Sequence, residues 1–484
     1  MIVESSPHRP FDATFGEVPT AELRGLVRRI ADTVGKAVAA RVQEQAAAGV
    51  RVTTDAEKVS SVTAIHRELD EYNRARVGRG MSPLSEAARE AVVDAVIAHV
   101  YGLGELDTLW GHPDVENIDV NGPDNVWVTF VGGEKVRWTP IASDQDELVD
   151  LIRRAARRLG HNEAEFDARH PQLDLQLPDG SRLFAVFGGD AGSGISTQPT
   201  LCIRRHRHLD VTTNDLVRLG VLPAAAAEFI VAAFRAGENL IVAGDHNAGK
   251  TTFLRAVCFD AIAPHQRVIT VEAFITELGL HNGSRLPNVV ALYSRPPSAE
   301  GEGEVTVADL IRRATRRLNP TRVIVGEVLG DEVGPVLDVF SGSTRGSGCT
   351  IHARSARGAV RRFEQYGLGS VPPVPVEAIN YGLAEASPII VHLSGDESTA
   401  GRLHRSCTSI VEVTGLEQGR VATTELWGIG ASGELEPVHA LSSARRERLA
   451  RSGWDWHTQG WVPRSPTVPV NGSGYGPPHG DRRS

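Results

Sequence analysis

The chain is poor in cysteine. Cys202, Cys258, Cys349 and Cys407 stand far apart in 484 residues, without the paired spacings that build a zinc site or a disulfide framework. They are expected to be buried thiols in a reducing compartment. Long apolar runs are also missing: the best, Leu222 to Phe234, is short and contains Glu228, whereas a membrane-spanning helix needs roughly 20 residues. The first residues, with Glu4 and His8 and no apolar core, lack the pattern of a secretion signal, so a cytoplasmic chain is expected. There is no basic surplus. Lys and Arg number 51 against 60 Asp and Glu, a formal net charge of −9, which argues against a protein whose main business is gripping nucleic acid. No internal repeat is found, which excludes a solenoid. What remains is ordinary globular material, 41% hydrophobic and long enough for two or three separate cores.

Glycine is abundant, 49 residues in all, and one pair stands at a spacing with chemical meaning. Gly244-Asp245-His246-Asn247-Ala248-Gly249-Lys250-Thr251 places two glycines, a lysine and a hydroxyl as a phosphate-binding loop does. Asn239 to Ala243 before it reads as a buried strand, and Thr252 to Val257 after it as a helix. Glycine lets the backbone turn N–H groups toward phosphates, and the helix N-terminus adds partial positive charge. Lys250 is then expected to reach the outer phosphates and Thr251 to ligand a magnesium ion.

Along the chain, residues 1–20 are expected to be disordered and 21–103 helical. The last helix of that region is placed with Ser82 as N-cap and Pro83 first, and with Val92, Val93, Val96, Ile97 and Val100 on one face. Residues 104–205 alternate short strands with turns, interrupted by a helix burying Leu148, Leu151, Ile152 and Ala155, and Pro178-Asp179-Gly180-Ser181 signals a hairpin. Residues 206–235 read as a linker and helix. Residues 236–440 alternate strands with helices and imply a largely parallel sheet. Residues 441–484 form a tail, largely disordered because of its Pro, Gly and Ser.

Three more residues stand at strand ends, where parallel sheets bind ligands. Val323 to Glu327 is an apolar strand ending in a carboxylate that would hold magnesium, through water, or orient an attacking water. Val268 to Glu272 repeats the design, and Glu272 is the candidate for polarising that water, with Glu277 in the following loop as the alternative. His352, closing Thr350-Ile351-His352, is a candidate sensor of the γ-phosphate. Arg312, Arg313, Arg316 and Arg317 share a helix face, read as solvated or subunit-facing.

In this order the motifs resemble the secretion-system traffic ATPases of type II and type IV secretion and pilus assembly. The resemblance rests on the phosphate loop, Arg295-Pro296-Pro297 with Gly301 to Glu304, Asn319 to Arg322, Val325 to Val328 and Thr350 to Ala353. Upstream it rests on Gly102 to Leu106, Asp119 to Pro123, Leu177 to Arg182 and Ile203 to Arg205. It covers about residues 85 to 430 and is most detailed for the CpaF-like subgroup of tight-adherence (Flp) pilus assembly. It implies an α/β fold: a RecA-like P-loop NTPase domain preceded by a small mixed α/β, PAS-like, nucleotide-covering domain and an N-terminal helical region. It also implies ATP and Mg2+ as ligands, with Gly244 to Thr252 and Arg182 binding nucleotide. Lys250, Glu272, Glu327, His352, Arg204 and Arg205 would act in catalysis, the arginines completing the site in a homohexamer. The partners implied are inner-membrane platform proteins at the inner face of the cell membrane, with nucleic acid unlikely. Three departures stand out: Ala273 where the family usually has Asp, Leu329 where it has Arg, and His246-Asn247 where it has Thr-Gly. Ala273 and Leu329 keep open a nucleotide-binding scaffold ring with weak turnover. A nucleic-acid translocase is the remaining alternative.

Overall fold

The computed structural model describes residues 20–47, 54–101, 105–158, 166–177, 180–189, 194–205, 210–273, 277–282, 285–295, 297, 302–342, 344–397 and 403–454. The disorder expected of 1–19 and 455–484, and part of the expected loops, lie outside them. The described chain divides into two units between Arg205 and Asp210.

The first unit opens with helices α1 (Thr20–Ala47), α2 (Thr54–Gly78) and α3 (Glu86–Tyr101). They bury Leu26, Ile30, Ile65, Leu69, Val92 and Val96 in a common core. Helix α3 starts three residues later than the sequence suggests. Leu84 is buried and its N–H donates to Asn73 Oδ1 at 2.9 Å, which ties Ser82–Leu84 to α2 as a link. Ser85 takes the cap, its Oγ accepting from Ala88 N at 3.3 Å.

A short helix α4 (Glu105–Gly111) leads into β1 (Val115–Asn121), β2 (Val126–Phe130), β3 (Lys135–Trp138), helix α5 (Gln145–Arg158), β4 (Gln172–Gln176), β5 (Arg182–Val186) and β6 (Thr200–Arg204). The six strands form one antiparallel sheet in the order β3-β2-β1-β6-β5-β4. Helix α5 contributes Leu148, Leu151, Ile152 and Ala155 to its core, and β4 and β5 form the expected hairpin. Strand β3 escaped the sequence reading because it is an edge strand with no buried residue, and its alternation of Lys135, Val136, Arg137 and Trp138 runs for only four residues.

The second unit runs α6 (Thr213–Arg218), α7 (Ala224–Arg235), β7 (Leu240–Gly244), α8 (Lys250–Ala261), β8 (Val268–Glu272), β9 (Val289–Tyr293), α9 (Val307–Arg317), β10 (Arg322–Val328), α10 (Val333–Ser341), β11 (Gly348–His352), α11 (Ala356–Gly369), α12 (Val376–Ala386), β12 (Ile389–Glu397), β13 (Leu403–Glu417), β14 (Arg420–Ile429), β15 (Leu435–Pro437) and α13 (Ser443–Arg451). Its nine-stranded sheet has the order β15-β14-β13-β12-β7-β11-β10-β8-β9. From β12 to β9 the strands are parallel, and β13, β14 and β15 add antiparallel beyond β12. Every residue of β7 and β8 is buried, as central parallel strands covered on both faces require. This is the α/β, RecA-like arrangement anticipated for the phosphate-loop domain.

Two expectations change here. The linker holds two helices, α6 and α7, with α6 closed by a capping box between Thr212 and Asp215. Residues 443–451, assigned to the tail, form α13. Its Arg445 is 1% exposed and donates to Glu238 Oε2 and Glu412 Oε2, each at 3.0 Å. Arg448 adds a second bond to Glu238, at 2.6 Å. The polar composition of this stretch hid a buried ion-pair network.

Candidate active site

The phosphate loop follows the end of β7. A side chain at Gly244 would run into the Leu393 carbonyl of β12. Asn247 and Gly249 both adopt left-handed conformations, with φ of 61° and 85°, and Gly249 caps α8 without any side-chain bond. The first turn of α8 thus keeps N–H groups for an anion. Lys250, the first residue of α8, is buried; its Nζ donates to the Asp245 carbonyl at 2.8 Å and lies 3.1 Å from His352 Nδ1.

Sheet order explains that second contact. Strand β11 lies between β7 and β10, with His352 paired in register to Gly244. His352 therefore stands between the loop and Glu327, and its Nε2 is 2.8 Å from Glu327 Oε1. An ammonium only donates, so Nδ1 accepts and Nε2–H donates to the carboxylate, which fixes the neutral tautomer. Burial opposes ionisation of Glu327, but the hydrogen bond from His352 and the attraction of Lys250 outweigh it, holding the carboxyl below its ordinary pKa. The ring of His246 stacks on His352 at 5.6 Å between centroids, and Arg362 Nε holds the His352 carbonyl at 3.1 Å.

Glu272 is placed differently from a carboxylate facing open solvent. It is 3% exposed, and its Oε1 accepts from Glu277 N at 2.7 Å and Leu278 N at 2.8 Å. Its Oε2 has no hydrogen-bond partner among the described residues. Burial pushes its pKa up to about 7; the two amide bonds oppose this, Glu277 adds to it, and the attraction of buried Arg255 is too weak to offset it. The carboxylate in contact with Thr251 is Glu277, with Oγ1 donating to Oε2 at 3.3 Å. Thr252 follows, half-buried, on α8.

Arg182, Arg204 and Arg205 lie in the first unit. Arg182 and Arg204 face each other across β5 and β6, and Arg182 pairs with Asp174 at 3.2 Å while its side chain stays 42% exposed. Arg205 donates to the carbonyls of Trp110, His112 and Val115 and lies over the Trp110 ring. It anchors a strand end. The four arginines of α9 are exposed.

Two contacts were missed. Gly326 precedes Glu327, and a Cβ there would stand 2.9 Å from Glu272 Cγ. Arg405, on β13, donates from Nε to the Asn247 carbonyl at 2.9 Å across 158 residues of sequence. No local pattern signals a contact of that range.

Comparison with known proteins decides the family. A profile described as "Type II/IV secretion system protein" matches residues 104–391. A Mycobacterium tuberculosis protein named for conjugal transfer is 31% identical over 351 residues, covering 71% of this chain and 94% of that one. This chain belongs to the type II/IV secretion system protein family. The secretion-family member is accordingly an ATPase, as its phosphate loop leads one to expect. The type IV secretion system protein PtlH of Bordetella pertussis is 27% identical over 292 residues, covering 57% of this chain and 81% of PtlH. Among solved structures, the VirB11 ATPase of the Brucella suis type IV secretion system overlaps 64% of this chain and 95% of its own, at 22% identity and a TM-score of 0.33.

Thr251 and Glu327 carry oxygen donors of the chemistry that Mg2+ takes. Thr251 offers a hydroxyl already in contact with a carboxylate, and Glu327 a carboxylate held ionised. Oxygen ligands of this kind suit a hard divalent cation. Among the described residues no cluster of three or more His, Cys, Asp and Glu side chains forms a separate metal site, and no helix is long and apolar enough to cross a membrane.

Proposed function

We propose that this secretion-family ATPase is a homohexameric motor that hydrolyses ATP to power pilus assembly or protein secretion, of the CpaF-like, tight-adherence kind, at an inner-membrane platform. The observation that carries the reading is His352, which joins the Lys250 ammonium to the Glu327 carboxylate in one hydrogen-bonded line. Such a line reports loss of the γ-phosphate from the loop to the acid without any large movement.

Lys250 would exchange the Asp245 carbonyl for the outer phosphates. Thr251 and Glu327 would hold Mg2+, which neutralises charge on the phosphates when bound. Glu272 and Glu277 supply the carboxylates that orient water, with Glu272 fixing the backbone of Glu277. Arg182 and Arg204 are the cations that would reach the nucleotide, and Arg205 holds the strand end that carries Arg204. A cation supplied on closure is worth about 10³ in rate.

The test is ATP turnover with Mg2+ by the wild-type chain and by Lys250→Ala. Turnover lost in the variant, in a wild-type particle of six-chain mass, supports the motor. Equal turnover in both removes the site, and nucleotide binding without turnover gives the scaffold ring. Stimulation by DNA or RNA would favour the translocase.

A further inference from the structure

We infer that Arg405 is a positioning residue of the nucleotide site: it holds the phosphate loop so that the loop amides face the phosphates. The inference rests on the loop's being a nucleotide cradle and names the residue that keeps it shaped.

The hairpin of β12 and β13 reaches past the strand it pairs with. Register between β12 and β7 ends at Leu393 opposite Gly244, yet β12 continues to Glu397, and Arg405 pairs with Gly395 in the overhang. The overhang brings an arginine against the loop. Its Nε donates to the Asn247 carbonyl at 2.9 Å, and its Cδ lies 3.3 Å from where a Cβ on Gly249 would stand.

Asn247 has φ of 61°, a region that non-glycine residues seldom occupy, although asparagine tolerates it better than most. Within a trans peptide the carbonyl of Asn247 and the N–H of Ala248 point in opposite directions. Holding the carbonyl outward therefore turns the N–H inward. Among the described residues that N–H meets the Asp245 carbonyl, at a long 3.4 Å, a bond that a phosphate oxygen would readily replace. Arg405 also fills the space beside Gly249, so the glycine is required both for its φ of 85° and for the arginine stem.

The test measures ADP binding by titration calorimetry on the full chain, without turnover, for wild type, Arg405→Met, Arg405→Lys, Asn247→Gly and the Arg405→Met/Asn247→Gly double variant. A charged hydrogen bond of this kind is worth about a ten-fold change in affinity. Arg405→Met should therefore bind ADP about ten-fold more weakly, and Arg405→Lys, which keeps a donor, should lose less. The double variant should recover part of the loss, because glycine adopts the left-handed conformation without support. Unchanged affinity in Arg405→Met overturns the inference, and so does a loss that Asn247→Gly leaves untouched, since that would make Arg405 a direct phosphate ligand. If Arg405→Met fails to fold, Arg405→Lys against Arg405→Lys/Asn247→Gly decides by the same criterion. A wild-type chain that binds no ADP would instead bring down the nucleotide reading itself.

Discussion

The side chain of Glu272 lies against Gly326, one residue before Glu327, so closely that a Cβ on the glycine would sit 2.9 Å from Glu272 Cγ and 3.2 Å from its Oε1. The two acidic strand ends, on the adjoining strands β8 and β10, are thus packed together through a missing side chain. Gly326→Ala should displace Glu272 and with it the amides of Glu277 and Leu278 that it holds. Overpacking of this sort costs about 1–3 kcal/mol. We expect a lower melting temperature together with at least ten-fold slower ATP turnover; a variant as stable and as active as wild type would show that the packing does not matter.

Glu272→Gln should act on stability in the opposite sense and in a pH-dependent way. In the folded chain the Glu272 pKa stands near 7 against an ordinary 4.5. The folded state therefore binds more protons between those values, and stability falls as pH rises through that window. Above pH 7 the wild type bears the full cost of a buried carboxylate, on the order of 3–4 kcal/mol. Glutamine keeps an acceptor for the two amides and carries no charge. Unfolding followed at pH 8 and pH 5 should find the variant more stable at pH 8, with the gain largely gone at pH 5, and ATP turnover reduced at both. A gain equal at the two pH values would contradict the burial account.

For His352 the expected effect is on turnover. His352→Ala breaks the line from Lys250 to Glu327 while leaving the loop amides and Thr251 in place. Loss of such a positioned group costs about 10²-fold in rate. ADP affinity should stay within about three-fold of wild type. A large fall in affinity with unchanged turnover at saturation would assign His352 to binding alone.

Arg445→Met tests the C-terminal helix. Glu238 and Glu412 are 7% and 1% exposed, and Arg445 bridges them. Removing the cation leaves a buried carboxylate uncompensated, which costs about 3–5 kcal/mol. Differential scanning calorimetry should show the transition of the second unit shifted down by several degrees. An unshifted transition would mean that Arg448 compensates.

Much of this site was legible because its chemistry is local. A phosphate loop needs two glycines, a lysine and a hydroxyl within eight residues, and a strand that ends in a carboxylate announces itself as an apolar run followed by an acid. Lys250, Thr251, Glu327 and His352 could be named for that reason. The missed strands show the converse. Strand β9 is an apolar run, Val289 to Tyr293, that is only half-buried along its length, and β3, Lys135 to Trp138, is four residues at a sheet edge with none buried; runs this short are easily passed over. The cap of α3 moved to Ser85 because Asn73, eleven residues from Leu84, holds the link before it.

The sequence by itself thus determined that this chain folds around a nucleotide loop, which residues form that loop, and which acids end the neighbouring strands, since each depends on residues adjacent in the chain. Only the tertiary structure decided what each charge does. Strand order set His352 between Lys250 and Glu327; packing over Gly326 buried Glu272 and raised its pKa; an overhanging hairpin brought Arg405 against the loop; and Arg445 became the bridge of a buried network. Burial and long-range proximity govern ionisation and hydrogen bonding, and neither is a property of any short stretch of sequence.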